Sequence, residues 1–135
     1  MNHIKVAAAV IIDNNKVFAA QRENKGELAL FWEFPGGKLE DGESGESAIV
    51  REIEEELSIK VEVIKHLINV EHKYKTFSIT LIAYLCKIVE GELTLKDHVN
   101  SEWLVKEQLY TVNWAAADLP IVKIVETMLG SNSEK

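Results

Sequence analysis

The segment from Gly37 to Ile59 constrains this chain most, because it joins a glycine-rich loop to a helical pattern that ends in carboxylates. Glu52, Glu55 and Glu56 stand at i, i+3 and i+4, so a helix places them on one face. The Glu52–Glu56 pair alone costs about 0.2–0.5 kcal/mol, and the C-terminal half of a helix favours cations. Carboxylate oxygens are preferred ligands of Mg²⁺, so the segment predicts a divalent metal site.

The bulk composition predicts one globular domain over residues 1–130 and a frayed tail over residues 131–135. A net charge of −7 argues against a nucleic-acid partner. No apolar run approaches the roughly 20 residues that cross a membrane, and the N-terminus lacks the pattern of a signal peptide. We therefore expect a cytoplasmic protein with no membrane partner, in which the lone cysteine, Cys86, is buried and inert.

Apolar runs and turn residues predict strands and helices that interleave along the chain, which indicates an α/β or α+β fold around one sheet system. The predicted helices cover residues 44–57, with Ser44 as N-cap, and residues 122–129, with Gly130 as the stop signal. The predicted strands are a hairpin over residues 4–22, a short aromatic strand over residues 31–34 that stops at the following Pro-Gly-Gly, and strands over residues 61–70, 76–88 and 101–105.

The Gly37–Ile59 segment resembles the Nudix box, Gly-x5-Glu-x7-Arg-Glu-U-x-Glu-Glu-x-Gly-U with U aliphatic, and reads Gly37-x5-Glu43-x7-Arg51-Glu52-Ile53-x-Glu55-Glu56-x-Ser58-Ile59. Only Ser58 departs from the box, at a position where glycine often provides a positive φ. Serine there predicts a slightly different helix end and removes no metal ligand. The flanking Trp32–Glu40 segment is similar to the MutT and CTP-pyrophosphohydrolase branch, and the resemblance extends to residues 117–120.

The resemblance implies the Nudix fold, a mixed β-sheet sandwiched between α-helices, in which the box forms a loop-helix-loop metal site. It implies hydrolysis that depends on Mg²⁺, for which Mn²⁺ substitutes, of a nucleoside diphosphate linked to another group. For the MutT-like branch the substrate is a (deoxy)nucleoside triphosphate, of oxidised purine or of CTP or modified dCTP type, cleaved to the monophosphate and pyrophosphate. Clustered carboxylates suit such a reaction, which needs charge neutralisation and an activated water.

The match to the box also implies a set of metal ligands. Glu52, Glu55, Glu56 and the carbonyl of Gly36 are expected in this role, and Asp97 matches an acidic position that supplies a further ligand or base in MutT-like enzymes. An ordinary loop aspartate is the equal alternative for Asp97. One of the glutamates, with Glu52 favoured, is expected to act as general base, and this choice stays open because the position of the base varies within the family.

Arg51 and Glu43 complete the catalytic set that the box implies. Arg51 is expected to pair with Glu43 and with a metal-binding carboxylate, which would hold the loop against the helix. The alternative is an ordinary surface pair of Arg51 with Glu55, worth about 0.3–0.5 kcal/mol.

The residues expected to contact the substrate lie outside the acidic helix. Arg22 stands where the family places an arginine that contacts substrate, although a strand end facing solvent is the alternative. Asp118 stands where MutT-like proteins read the base edge, and it also reads as an N-cap before Pro120. The segment that borders the nucleotide pocket in relatives corresponds here to Glu33, Phe34, Pro35, Gly36, Gly37 and Lys38.

Two other functions remain open at the level of sequence. One is a Nudix hydrolase of ADP-ribose or a dinucleoside polyphosphate, and the other is a non-catalytic regulator that only binds nucleotide. Either way the expected partner is a small nucleotide, and the protein is a monomer or a homodimer. None of the four histidines has metal-ligand spacing, so the sequence offers none of them as a candidate for the chemistry.

Overall fold

The computed structural model describes residues 2–131, so Met1 and residues 132–135, which include most of the predicted frayed tail, lie outside the described residues. Two short 3₁₀ turns, Lys106–Thr111 and Ala116–Asp118, precede the last helix. The main elements, in chain order, are β1 Asn2–Asp13, β2 Lys16–Gln21, β3 Trp32–Glu33, β4 Gly36–Lys38, α1 Gly45–Leu57, β5 Ile59–Lys73, β6 Phe77–Gly91, β7 Asn100–Leu104 and α2 Leu119–Met128.

The strands form one mixed sheet in the order β3-β2-β1-β6-β5, with β4 added to β1 and β7 added to β2. β1 is central, because it pairs parallel with β6 and antiparallel with both β2 and β4. The β1–β2 hairpin turns through Asn14 and Asn15, whose φ values of 50° and 60° suit the tight turn expected for this pair of residues. The predicted hairpin over residues 4–22 is confirmed.

Helices cover both faces of the sheet, and the apolar run in β1 explains how. Successive side chains of a strand point to opposite faces, so each face of β1 contributes to a different core. Ala7, Ala9 and Ile11 pack with the buried face of α1, while Ala8 and Val10 pack with α2. The buried side chains of the two helices are Ala48, Ile49, Ile53 and Leu57 in α1, and Ile121, Val122 and Val125 in α2. The predicted helix–sheet–helix sandwich is confirmed.

The ends of α1 are set by two serines. The Ser44 side chain accepts a hydrogen bond from the Ser47 N–H at 3.1 Å, as the N-cap prediction requires. Ser58 ends the helix with φ 59° and ψ 29°, and its N–H donates to the Glu54 carbonyl at 3.1 Å. The expected change in the helix end is wrong, because Ser58 adopts the left-handed conformation that glycine usually supplies. We attribute a cost of about 1 kcal/mol to that conformation.

Several predicted boundaries also move. The Pro-Gly-Gly segment does more than stop a strand, because Gly36–Lys38 pairs with β1 through Ala8↔Gly36 and Val6↔Lys38. A Cβ at Gly36 would overlap the Ala7 carbonyl, so only glycine allows this close pairing. α2 begins at Leu119 rather than at residue 122, since Pro120 fits the first turn, where no amide donor is needed. β5 and β6 each extend further than predicted, to 15 residues.

Candidate active site

The loop and helix of the Gly37–Ile59 segment meet at β4. Ile49, Ile53 and Leu57 bury one side of α1 against the sheet, which turns Arg51 and Glu52 toward β4. A Cβ at Gly37 would overlap the Glu52 carboxylate. The glycine therefore leaves room for a carboxylate of α1 to lie directly against the strand.

Arg51 is the hub that ties the loop to the helix. Its Nε and Nη2 donate to the two carboxylate oxygens of Glu43, both at 2.9 Å, and its Nη1 donates to Glu52 Oε1 at 2.7 Å. Nη2 also donates to the Lys38 carbonyl at 3.2 Å, and the hydrogen bond of Nη1 to Glu55 is longer, at 3.5 Å. Glu40 Oε1 lies 3.8 Å from Nε. The structure thus has the expected pairing with Glu43 and Glu52, and the alternative pair with Glu55 is longer than either of them.

Glu43 makes the stability of this loop sensitive to acid. The hydrogen bonds from Arg51, together with one from the Glu40 N–H, lower the pKa of Glu43 to about 2. A lowered folded-state pKa contributes stability above the unfolded value of 4.5, and this contribution is lost as the pH falls toward 2. We expect Glu43→Gln to be less stable than wild type at neutral pH and to lose less stability between pH 4.5 and 2, as followed by thermal unfolding.

Asp41→Asn, which changes an exposed carboxylate of the same loop, is the matched control for Glu43→Gln and should follow the wild-type curve. Parallel pH curves for wild type and Glu43→Gln would contradict the assigned role of Glu43.

The structure separates the three glutamates that the sequence groups together. Glu55 has 60% of its side chain exposed and lies in an open groove between α1 and β5, whereas 17% of the Glu52 side chain is exposed. Among residues 2–131, no three His, Cys, Asp or Glu side chains are close enough to hold a metal ion together. Among the described residues the structure thus keeps the expected ligands apart, and their shared metal site stays a prediction. Arg51 Nη1 contacts Glu52 and Glu55, at 2.7 Å and 3.5 Å, whereas Glu56 lines a cavity on another side of the helix.

Glu56 has the properties expected of a ligand for a hard cation. Its Oε2 atom is buried and, within the described part of the chain, accepts no hydrogen bond. Burial raises the pKa of Glu56 to about 7; His98 opposes the rise, and the charges of Glu52, Glu33 and Asp97 add to it. A buried unpaired oxygen with three carboxylates nearby costs stability unless a cation joins it. The donor set fits Mg²⁺, whose ligands are hard oxygens.

Glu56 lies where two cavities meet. The first, here called the charged pocket, has a volume of about 390 Å³, and its lining includes Arg22, Lys25, Glu33, Glu56, Asp97 and His98. The second, here called the apolar pocket, has a volume of about 240 Å³, and its lining includes Leu28, Phe34, Tyr74, Phe77, Leu81 and Asp118. Arg22, Glu33 and Glu56 line both. Together the pockets lie within the roughly 300–1,000 Å³ typical of small-molecule sites.

Most of the predicted contact segment over residues 33–38 lines the apolar pocket, and Glu33 also lines the charged pocket. Phe34, Gly36, Gly37 and Lys38 line the apolar pocket, and Phe34 stacks on Trp114 with ring centroids 4.7 Å apart. Pro35 lines neither pocket; it is buried, and its carbonyl accepts a hydrogen bond from the Ala9 N–H at 2.8 Å. Pro35 therefore serves the junction with β1 in this structure.

Asp118 faces the apolar pocket and does not cap α2. Its side chain makes no capping bond, and its φ of −82° and ψ of −20° lie in the helical region rather than the extended region of an N-cap. Asp118 Oδ2 instead accepts the Phe34 N–H at 3.0 Å, and the residue is buried. The N-cap alternative is therefore wrong. Burial, with the charge of Glu33, raises the pKa of Asp118 well above its usual range, which favours the protonated carboxyl.

His98 is a pocket residue that the sequence offered no reason to choose. Its Nε2 bonds to Glu33 Oε2 at 2.9 Å, and only 7% of its side chain is exposed. Burial lowers the pKa of His98, but the hydrogen bond and charge of Glu33, with the charge of Glu56, more than offset this and raise it overall. Spacing along the chain does not report this pairing, because Glu33 lies 65 residues from His98.

Comparison with known proteins decides the family. The model of the NUDIX domain matches residues 7–123. The chain belongs to the Nudix family. The predicted box, the α+β Nudix fold and the assignment to Nudix hydrolases are confirmed.

The curated relatives are of the MutT type. The chain is 46% identical over 94 residues to an 8-oxo-dGTP diphosphatase of Proteus vulgaris, covering 69% of this chain and 84% of that protein. It is 33% identical over 123 residues to a CTP pyrophosphohydrolase of Escherichia coli K12, covering 91% of each. Both relatives carry the names of the branch that the Trp32–Glu40 segment indicates.

A solved Nudix structure agrees with the fold described above. The solution structure of a MutT protein of Nudix type from methicillin-resistant Staphylococcus aureus 252 is 40% identical, with a TM-score of 0.77. The alignment covers 95% of this chain and 99% of that one. Over residues 2–131, the Nudix chain has no helix that is long and apolar enough to cross a membrane.

Proposed function

We propose that this Nudix chain hydrolyses nucleoside triphosphates to monophosphate and pyrophosphate with Mg²⁺ as cofactor, through one domain over residues 1–130. The main support for this proposal is Glu56, whose Oε2 is buried without a partner in the described part of the chain. Its side chain lines both the charged pocket and the apolar pocket. A nucleotide has the same two-part chemistry, with a charged phosphate chain and a largely apolar base. The names of the relatives, an 8-oxo-dGTP diphosphatase and a CTP pyrophosphohydrolase, support this assignment.

The charged pocket suits the triphosphate. Arg22 and Lys25 supply positive charge there, and Arg22 Nη1 is held at 2.9 Å by Glu33 Oε1. The residues proposed to hold the metal are Gly36 through its carbonyl, Glu52, Glu55, Glu56 and Asp97. When bound, Mg²⁺ would neutralise phosphate charge and acidify a coordinated water.

Glu52 is the proposed acceptor of the proton from the attacking water. Arg51 holds its Oε1 at 2.7 Å, and its Oε2 lies against Gly37 beside the pocket. A general base must be held within hydrogen-bond reach of the proton it removes, and this pairing fixes the orientation of the carboxylate. Glu43 and Arg51 would then act by keeping Glu52 in place.

The apolar pocket suits the base. Phe34, Tyr74 and Phe77 supply aromatic surface, and Asp118 supplies a buried polar group. Because Asp118 Oδ2 is taken by the Phe34 N–H, the other oxygen is the one left to meet a base edge. A protonated carboxyl donates there and an ionised one accepts, so Asp118 is the proposed determinant of base preference.

The test is a substrate panel with Mg²⁺. Canonical, oxidised and methylated nucleoside triphosphates are compared with ADP-ribose and a dinucleoside polyphosphate, and the released monophosphate, pyrophosphate and phosphate are separated and quantified. We expect monophosphate and pyrophosphate from a triphosphate, and a rise in Tm when Mg²⁺ or Mn²⁺ is added. Preferred cleavage of ADP-ribose or of the dinucleoside polyphosphate, or nucleotide binding without turnover, would reject the proposal in favour of the corresponding alternative.

A further inference from the structure

The connection between β6 and β7, residues 92–99, carries Asp97 into the charged pocket beside an otherwise unexplained histidine. Two backbone hydrogen bonds hold the ends of this loop: Thr94 N–H to the Leu57 carbonyl at 2.8 Å, and Val99 N–H to the Gln21 carbonyl at 3.0 Å. Asp97 itself is exposed. The buried side chain next to it is that of His98, which anchors this part of the loop to β3.

His98 is one end of a row of three side chains that bond to one another along the charged pocket. His98 Nε2 bonds to Glu33 Oε2 at 2.9 Å, and Arg22 Nη1 bonds to Glu33 Oε1 at 2.9 Å. Both oxygens of Glu33 are therefore engaged, one from the β6–β7 loop and one from the residue that follows β2. Glu33 lines both pockets, and the Nδ1 atom of His98 is buried with no hydrogen-bond partner in the described part of the chain.

We propose that His98 is a positioning residue for the metal site. Its bond to Glu33 fixes a carboxylate that lines the same pockets as Glu56, and it keeps the adjacent Asp97 in the charged pocket. This inference rests on the proposed function. Glu33 carries a charge of the same sign as Glu56, and the bond from His98 restrains where that charge lies. Without His98, one oxygen of Glu33 loses its partner, and the part of the loop that carries Asp97 loses its side-chain bond to β3. Partners that orient ligands without binding the metal typically change metal affinity or activity by about 10–100-fold.

The experiment measures metal binding in the nucleotide-free protein, so that it does not depend on turnover. Mn²⁺ is titrated into wild type, His98→Ala and His98→Gln, with free Mn²⁺ followed by electron paramagnetic resonance. We expect His98→Ala to bind Mn²⁺ about 10–100-fold more weakly and His98→Gln, which keeps an N–H donor for Glu33, to recover most of the loss. kcat with a nucleoside triphosphate should fall more than KM rises, because the nucleotide pocket is still present.

His66→Ala is the matched control, because His66 also has a side-chain partner, Asn69 at 2.6 Å, but lines neither pocket. Its Mn²⁺ affinity should equal that of wild type. Glu33→Ala tests whether His98 changes the Mn²⁺ affinity through Glu33. If His98 acts through Glu33, adding His98→Ala to Glu33→Ala should weaken Mn²⁺ binding by much less than His98→Ala does alone.

Equal Mn²⁺ affinity in wild type and His98→Ala would overturn the proposal, and so would a loss that His98→Gln does not recover. A lower Tm with unchanged Mn²⁺ binding would leave His98 a purely structural residue. If His98→Ala does not fold, the other two variants still test the proposal. It requires near-normal Mn²⁺ affinity in His98→Gln and an altered Mn²⁺ affinity in Glu33→Ala. If His98→Ala binds Mn²⁺ more weakly than wild type and His98→Gln as expected, but wild type hydrolyses no nucleotide, the role of His98 stands and the proposed function fails.

Discussion

Glu56→Gln should reduce kcat/KM by at least about 100-fold and, in the absence of metal, make the protein more stable. The loss follows because the substitution removes charge from the oxygen best placed to hold the cation, and losing one stabiliser of the transition state typically costs 10²–10³-fold. Stability should rise because Glu56 Oε2 is buried without a hydrogen-bond partner among residues 2–131. An amide at this position carries no charge to desolvate.

The stability difference between Glu56→Gln and wild type should depend on pH. Burial and nearby carboxylates raise the pKa of Glu56 from 4.5 to about 7. With a raised folded-state pKa, the unfolded chain ionises first, so the metal-free protein loses stability as the pH rises from 4.5 to about 7. A shift of this size corresponds to about 3 kcal/mol. Glu56→Gln should lack this loss, so the gap in Tm between variant and wild type should widen over that range.

Thermal unfolding at several pH values, with and without Mg²⁺, measures the effect. Mg²⁺ should raise the Tm of wild type and raise that of Glu56→Gln much less. Glu54→Gln is the matched control, since it removes the same charge from an exposed position of the same helix, and its activity and response to Mg²⁺ should stay close to wild type. Near-normal turnover of Glu56→Gln at saturating Mg²⁺ would show that Glu56 is not a metal ligand.

Asp118→Ala should change the choice of nucleotide more than the rate on the best remaining substrate. Asp118 is the buried polar group of the apolar pocket, and one of its oxygens is already committed to the Phe34 N–H at 3.0 Å. A site that forms a hydrogen bond to its substrate rejects analogues lacking the group by large factors, and this rejection disappears with the side chain. We expect the ratio of kcat/KM values between preferred and disfavoured bases to fall at least tenfold.

Asp118→Asn separates recognition from structure. Its amide oxygen can still accept the Phe34 N–H, while its amide nitrogen presents a fixed donor to the base. Because burial raises the pKa of Asp118, the ionised form costs stability as the pH rises, and the neutral amide should be at least as stable as wild type at neutral pH. Base preference should shift in Asp118→Asn without loss of Tm. A uniform loss of activity on all nucleotides, with a lower Tm in both variants, would limit Asp118 to anchoring the backbone at Phe34.

The local elements and the family followed from the sequence because the signals that specify them are short in range. Ser44 caps α1 through a residue three positions away, and the i+4 spacing of Ile49, Ile53 and Leu57 describes a face that the structure buries. The contact of Arg51 with Glu43 spans eight residues within one loop and helix, and it too was expected. The left-handed conformation of Ser58 did not follow from the sequence, because residue type alone does not show that serine adopts φ 59° at this helix end.

The sequence by itself determined the Nudix box, the helix that carries its acids and the strand whose alternating sides build two cores. Only the tertiary structure decided which acid is buried, which oxygen lacks a partner and what surrounds it. Glu55 and Glu56 are neighbours in sequence, yet one faces solvent and the other faces a pocket built by the β2–β3 connection, β3 and the β6–β7 loop. His98 reaches Glu33 across 65 residues, and Asp118 reaches Phe34 across 84. Burial and charge depend on neighbours in space, and folding alone brings those neighbours together.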